Sequence, residues 1–106
     1  MAWIYLLIAG VLEIVWAFSM KKSMGFTLPV PTAITLVAMI FSFALLALAM
    51  KQLPLGTAYT IWTGIGAVGA FVVGILILGE SVNTMRIIAA LLIIAGIVLM
   101  KLSSSS

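Results

Sequence analysis

The chain alternates between long apolar runs and short polar breaks. A Lys or Arg at the centre of a bilayer costs at least ~2.5–3.5 kcal/mol, so the basic residues indicate where apolar runs end. Four apolar runs remain between these breaks, at residues 3–20, 28–50, 53–79 and 87–100, and the last is carried by a longer helix that starts near Asn83. The pattern predicts an all-α integral membrane protein, with a bundle of four transmembrane helices forming a single domain at residues 1–102.

Individual residues predict where these helices begin and end. Gly25 is a stop signal after the first helix, and Asn83 is a candidate N-cap for the fourth. Thr27 is predicted to cap the second helix, with Pro29 in the first turn, where the missing N–H is harmless. The serine tail at residues 103–106 is of low complexity, and we expect it to be disordered.

The third run is too long for a straight span. Residues 53–79 would form a helix of about 40 Å, against a hydrocarbon core of about 30 Å. The helix must therefore tilt or bend, and a hinge is predicted at its glycines, Gly64, Gly66 and Gly69.

Composition excludes several classes of protein. With 66% hydrophobic and 7% charged residues, the chain has too little polar surface for a water-soluble fold. The net charge of +3 comes from scattered basic residues, which argues against a nucleic-acid partner. The chain has no Cys and no His, so we expect no disulfide, metal or cofactor and no enzymatic chemistry.

Glu13 is the most informative residue. It lies about ten residues, or ~15 Å, into the first span and so near the membrane midplane. Burial disfavours the charged form of a carboxyl group, so Glu13 can exchange a proton for a cation. The alternative is a protonated Glu that only hydrogen-bonds neighbouring helices. Glu80 lies at a helix boundary and is interpreted as a solvated carboxylate.

Other polar and aromatic residues share the depth of Glu13. Gly10 and Trp16 lie on its helix face, although Trp16 can alternatively belong to an interfacial aromatic belt. Ser42 either bonds back to the carbonyl one turn earlier or holds Glu13. One face of the third span carries a further set, Tyr59, Trp62 and Thr63. A carboxylate among aromatic rings favours a cation, so the sequence predicts a proton-coupled cation site.

The basic residues are almost evenly divided between the two membrane faces. Lys51 and Lys101 fall on the side of the N-terminus, and Lys21, Lys22 and Arg86 fall on the opposite side. Loop Lys and Arg residues set orientation, so this balance predicts insertion both ways up. Since four helices leave little room for a cavity, we expect an antiparallel homodimer.

Three motifs resemble those of the small multidrug resistance transporters over residues 1–102. They are EIVWAFSMK at 13–21, PLGTAY at 54–59 and IWTGIG at 61–66. The first motif is similar to the guanidinium-exporter branch, whereas drug-exporting members typically have Gly at the position of Trp16.

This resemblance implies an antiparallel, dual-topology homodimer in a bacterial plasma membrane. It implies an exchange of two inward protons for one outward guanidinium-type cation. Glu13 would be the shared proton and substrate site, surrounded by Trp16, Ser42, Tyr59 and Trp62, with the glycines at 64–69 as a bend in the third helix. The fourth helix would form the dimer interface, with contacts at Ala90, Ile94 and Gly96.

Two other functions remain open from the sequence. One is an exporter of hydrophobic quaternary ammonium compounds, against which Trp16 argues because it narrows the pocket. The other is a structural membrane oligomer in which Glu13 only holds helices together. A proton-driven rotor subunit needs two helices, and this chain has four predicted ones.

Overall fold

The computed structural model describes residues 1–103, most of which form four helices. The helices are α1 (Ala2–Lys22), α2 (Pro29–Met50), α3 (Leu55–Leu76) and α4 (Thr84–Leu102). Each is long and apolar enough to cross a membrane, which confirms the four predicted spans. Of the predicted serine tail, Ser103 forms the turn that ends α4, and residues 104–106 lie outside the described residues.

The helix ends confirm some of the predicted signals and correct one. Asn83 caps α4, since its Oδ1 accepts a hydrogen bond of 2.9 Å from the Arg86 amide. Pro29 occupies the first turn of α2, but the residue at the N-cap is Leu28, so the prediction for Thr27 is wrong. The Thr27 hydroxyl instead forms a hydrogen bond within the turn that precedes α2, donating to the carbonyl of Met24 at 2.9 Å.

Helix α3 is shorter than its apolar run predicts. It begins after Pro54 and ends at Leu76, before Gly79 takes up a left-handed φ of +70° and the chain turns back. The Glu80 amide then donates to the carbonyl of Gly74 at 3.0 Å, which folds this turn over the end of the helix. At 22 residues, or about 33 Å, α3 is close to the thickness of the hydrocarbon core, so its length alone does not require a bend. The hinge stays a prediction.

The four helices form a flattened layer. Helix α1 packs mainly against α2 and then against α3, while the backbone of α4 contacts only α3 among the described helices. The overall dimensions are 43 × 34 × 16 Å, and α4 has no buried residue. The small, apolar core lies where α1 meets α2 and α3, at residues such as Leu6, Ala9, Ala49 and Ala58. This junction is next to the candidate site.

Candidate functional site

Glu13 lies against the backbone of α3 at Gly66. A Cβ atom added to Gly66 would overlap the carboxyl carbon and both carboxyl oxygens of Glu13. The Oε1 atom of Glu13 is buried and has no hydrogen-bond partner among the described residues. The glycine therefore makes room between two helices for a carboxyl group that keeps an unused acceptor.

Trp16 lies one turn further along α1 and also has an unused polar atom. Its indole Nε1 is buried and, within the described part of the chain, has no acceptor. Its ring meets Phe43 of α2 edge-on, with centroids 6.3 Å apart and an angle of 77°. A tryptophan of an interfacial belt directs its N–H toward water and headgroups, so the buried Nε1 favours a place in the site.

Ser42 connects three helices. Its hydroxyl donates to the carbonyl of Ala9 on α1 at 2.7 Å and accepts a bond of 3.0 Å from Nε1 of Trp62 on α3. A hydroxyl has one proton to donate, so Ser42 does not bond back along α2. In an α-helix the carbonyl of Ala9 is the one that the Glu13 amide bonds. Ser42 therefore fixes the backbone beneath Glu13 and does not hold its carboxyl group.

Four aromatic rings form a row across the same three helices. Phe43 packs on Trp62 with ring centroids 5.7 Å apart, and Trp62 packs on Tyr59 at the same distance. Trp16 lies at the other end of the row, where its ring contacts Phe43. Sequence reasoning missed Phe43, because a phenylalanine in an apolar span has no polar atom to distinguish it. The sequence signal that could have identified Phe43 as a site residue was its position directly after Ser42.

The structure separates the other residues that the sequence grouped with Glu13. Gly10 packs against Ile65 of α3, and a Cβ there would come within 2.6 Å of that side chain. Thr63 is exposed, whereas Tyr59 is 52% exposed at the open end of the aromatic row. Gly69 makes room for the side chain of Ile14 on α1, and Gly64 makes room for that of Ile97 on α4. Of the three predicted hinge glycines, Gly66 alone contacts the Glu13 carboxyl group.

The predicted interface residues of α4 do not all share one face, since Ala90 and Ile94 lie one turn apart whereas Gly96 is only two residues from Ile94. Ala90 is half-buried on the side that meets α3, while Ile94 is 41% exposed. Gly96 is exposed, and a Cβ added to it would meet nothing within 4 Å. Their role in a dimer stays a prediction.

Formal charge is arranged with Glu13 at the centre and basic groups at the helix ends. Lys101 lies over the ring of Trp3 at one end of the molecule, 4.1 Å from its centroid. At the other end Lys21 and Arg86 line one cavity. Lys101 thus lies at the opposite end of the molecule from Lys21 and Arg86. Among the described residues the basic side chains all lie at helix ends, so none of them is at the depth of Glu13.

The contact between Glu13 and Gly66 predicts a selective effect of Gly66→Ala. The added methyl group displaces the carboxyl end of a flexible side chain, so we expect the fold to persist. We expect the affinity for a cation to fall at least about tenfold, because the displaced carboxyl group of Glu13 is no longer in the position that binds the cation. Isothermal titration calorimetry of the purified protein with guanidinium measures this change in affinity.

Gly69→Ala is the matched control for Gly66→Ala. Its methyl group would overlap the side chain of Ile14 in the same way, but that side chain carries no charge. We expect near-normal cation binding in this variant. Equal losses of affinity in the two variants would contradict the assigned role of Gly66.

Four membrane-spanning helices and one carboxyl group buried between them define a small multi-span membrane protein. The profile of the family described as Small Multidrug Resistance protein matches residues 1–94, and the chain belongs to this family. It is 58% identical to proteins named guanidinium exporter from Escherichia coli strain K12 and Salmonella typhimurium strain LT2. Each alignment covers 98% of this chain and 99% of the relative.

A relative from Citrobacter freundii with the same name is 57% identical over the same shares of the two chains. These findings confirm the predicted family and its guanidinium-exporter branch. With its four spans, the chain is a multi-pass protein of a bacterial inner membrane. The relatives are named as exporters and not as enzymes.

Proposed function

We propose that this protein exports guanidinium and small guanidinyl cations in exchange for protons. The observation that carries the proposal is the buried Oε1 of Glu13, an acceptor without a partner among the described residues, beside a row of aromatic rings. The names of the relatives, at 57–58% identity over nearly the whole chain, support the same substrate.

Guanidinium matches this site better than other small cations. It is planar, weakly hydrated and edged with N–H donors that pair with a carboxylate fork. The rings of Trp16 and Trp62 can confine its faces, which adds an attraction of about 0.5–2 kcal/mol per ring. Sodium offers no donors and costs more to dehydrate. A monosubstituted guanidine keeps most of the donor edge.

The coupling to protons follows from the chemistry of Glu13. A carboxyl group that holds a proton cannot also hold a cation, so the two ligands exclude each other. Two Glu13 groups in one site would both be protonated when empty, and one cation that stabilises both charges would displace both protons. An exchange of two protons for one cation moves net charge, so an inside-negative potential drives export.

A second copy of the chain completes the site in this proposal. The described residues form a layer only 16 Å thick, and two rings of the aromatic row are about half exposed, namely Phe43 at 48% and Tyr59 at 52%. The even division of basic residues supports an inverted second copy. Helix α4, which has no buried residue, is the element proposed to pair the copies, with contacts at Ala90, Ile94 and Gly96.

Flux in liposomes that contain only this protein tests the function. An inward proton gradient should drive release of guanidinium from the liposomes against its own gradient, with an electrical current of the same time course. If guanidinium evokes no current while a hydrophobic quaternary ammonium compound does, the assignment moves to the drug-exporting branch. If neither cation evokes a current, the structural-oligomer alternative is favoured.

A further inference from the structure

A lateral cavity of about 460 Å³ lies between α1 and α4, with α3 as its floor. The backbones of α1 and α4 do not contact each other in the described chain, so the two helices leave a groove open on one side. Small residues of α3 and α4, including Ala67, Ala70 and Ala89, line its inner part. The volume is within the range of ligand-binding pockets, about 300–1,000 Å³.

The mouth of this cavity carries charges of both signs. Lys21 in the last turn of α1, Arg86 in the first turn of α4 and Glu80 in the α3–α4 connection all line it. All three lie at helix ends on one membrane face, at the depth of lipid headgroups. None of them belongs to the transport site around Glu13.

Glu80 and Arg86 are held in place by local structure. The Glu80 carboxyl group lies over Gly74, where an added Cβ would come within 2.6 Å of Oε1, and the Glu80 amide donates to the Gly74 carbonyl. The Arg86 guanidinium group lies 5.4 Å from the centroid of the Phe71 ring and donates to the carbonyl of Ser81 at 3.0 Å. The mouth therefore presents one carboxylate and one cation in fixed positions, with Lys21 as a second cation beside them.

The opposite end of the same groove provides a comparison within the molecule. A second cavity, of about 410 Å³, is lined by apolar residues of α1, α3 and α4 with Lys101 at its mouth. Among the described residues, none that lines this second cavity is acidic. The mixed charge is thus a property of the first cavity and not of the groove as a whole.

We propose that this cavity binds a phospholipid with a phosphoethanolamine headgroup, its acyl chain lying in the groove between α1 and α4. Lys21 and Arg86 contact the phosphate, as basic residues at headgroup depth do. The Glu80 carboxylate accepts hydrogen bonds from the primary ammonium group. A choline headgroup has no N–H to donate, and a glycerol headgroup has no cation for Glu80.

Native mass spectrometry of the full-length protein, incubated with equal amounts of phosphatidylethanolamine, phosphatidylcholine and phosphatidylglycerol, tests this proposal. We expect the ethanolamine lipid to give the most abundant adduct. Lys21→Gln should lower the occupancy of this adduct about tenfold, the effect of one lost charge-assisted contact. Glu80→Gln should remove the preference for ethanolamine over choline while leaving phosphate-dependent binding.

Lys22→Gln is the matched control for Lys21→Gln. Lys22 is the neighbouring base, but its ammonium group lies over the Phe18 ring at 5.7 Å and does not line the cavity. We expect wild-type lipid occupancy in this variant. Ala89→Leu fills the cavity from an exposed position and should lower the occupancy of all three lipids. Circular dichroism and size-exclusion chromatography confirm that each variant is folded.

Three results would overturn the proposal. The first is equal adducts of the three lipids in the wild type, and the second is equal effects of Lys21→Gln and Lys22→Gln. The third is a cross-link between cysteines placed at Ala89 in two copies, together with no retained lipid, which would assign the groove to a contact between copies of the chain.

Discussion

Glu13→Gln is expected to abolish guanidinium-evoked proton movement in liposomes. The side chain of Gln keeps the shape and the hydrogen bonding of Glu but cannot ionise, and Glu13 is the only acidic residue within the four helices. Removing one partner of a buried charge pair costs about 3–5 kcal/mol, so guanidinium affinity should fall at least about 100-fold. Size-exclusion chromatography should show an unchanged assembly.

The pH dependence of binding separates the chemistry of Glu13 from its packing. In the wild type, guanidinium affinity should decrease as the pH falls, because a proton then occupies the carboxyl group that the cation needs. Glu13→Asp keeps an ionisable group at a shorter reach, so weaker binding should retain this pH dependence. The residual binding of Glu13→Gln should be independent of pH. Coupled flux that survives in Glu13→Gln would end the proposal.

The fold could be predicted to the extent that single residues determine it. Charged residues at the ends of apolar runs define the four spans, and Asn83 and Pro29 mark helix starts through backbone chemistry that depends only on nearby residues. The third span shows the limit of this reasoning. The apolar run continues to residue 79, but α3 ends at Leu76. The helix ends early because the chain turns at Gly79 and folds back over the helix end.

The site could be predicted in its residues but not in its contacts. Helical periodicity shows which residues share a face, and it placed Glu13 with Trp16 on α1 and Tyr59 with Trp62 on α3. Periodicity does not show which face of a helix packs against which neighbouring helix. The bond from Ser42 to Ala9, the ring of Phe43 and the approach of Glu13 to Gly66 each depend on the relative positions of two helices. Those positions are set by packing along the whole helix.

The second large effect concerns which cation is carried. In the wild type, guanidinium should evoke proton-coupled currents and tetramethylammonium should not. Tetramethylammonium has no N–H to donate to Glu13, and its four methyl groups do not fit between flat rings as a planar ion does. Equal currents from the two cations in the wild type would refute this selectivity.

Trp16→Gly should widen the range of transported cations. The substitution removes the indole that meets Phe43 edge-on and leaves space one turn from Glu13. Guanidinium loses one confining ring, a loss of about 0.5–2 kcal/mol, so its affinity should fall about 2- to 30-fold. A bulky quaternary ammonium cation gains room for its methyl groups and needs no donor to be attracted by the remaining rings of Trp62 and Phe43. Solid-supported-membrane currents from both cations measure the ratio. A ratio unchanged from the wild type would show that selectivity resides in the carboxyl group and not in the aromatic row.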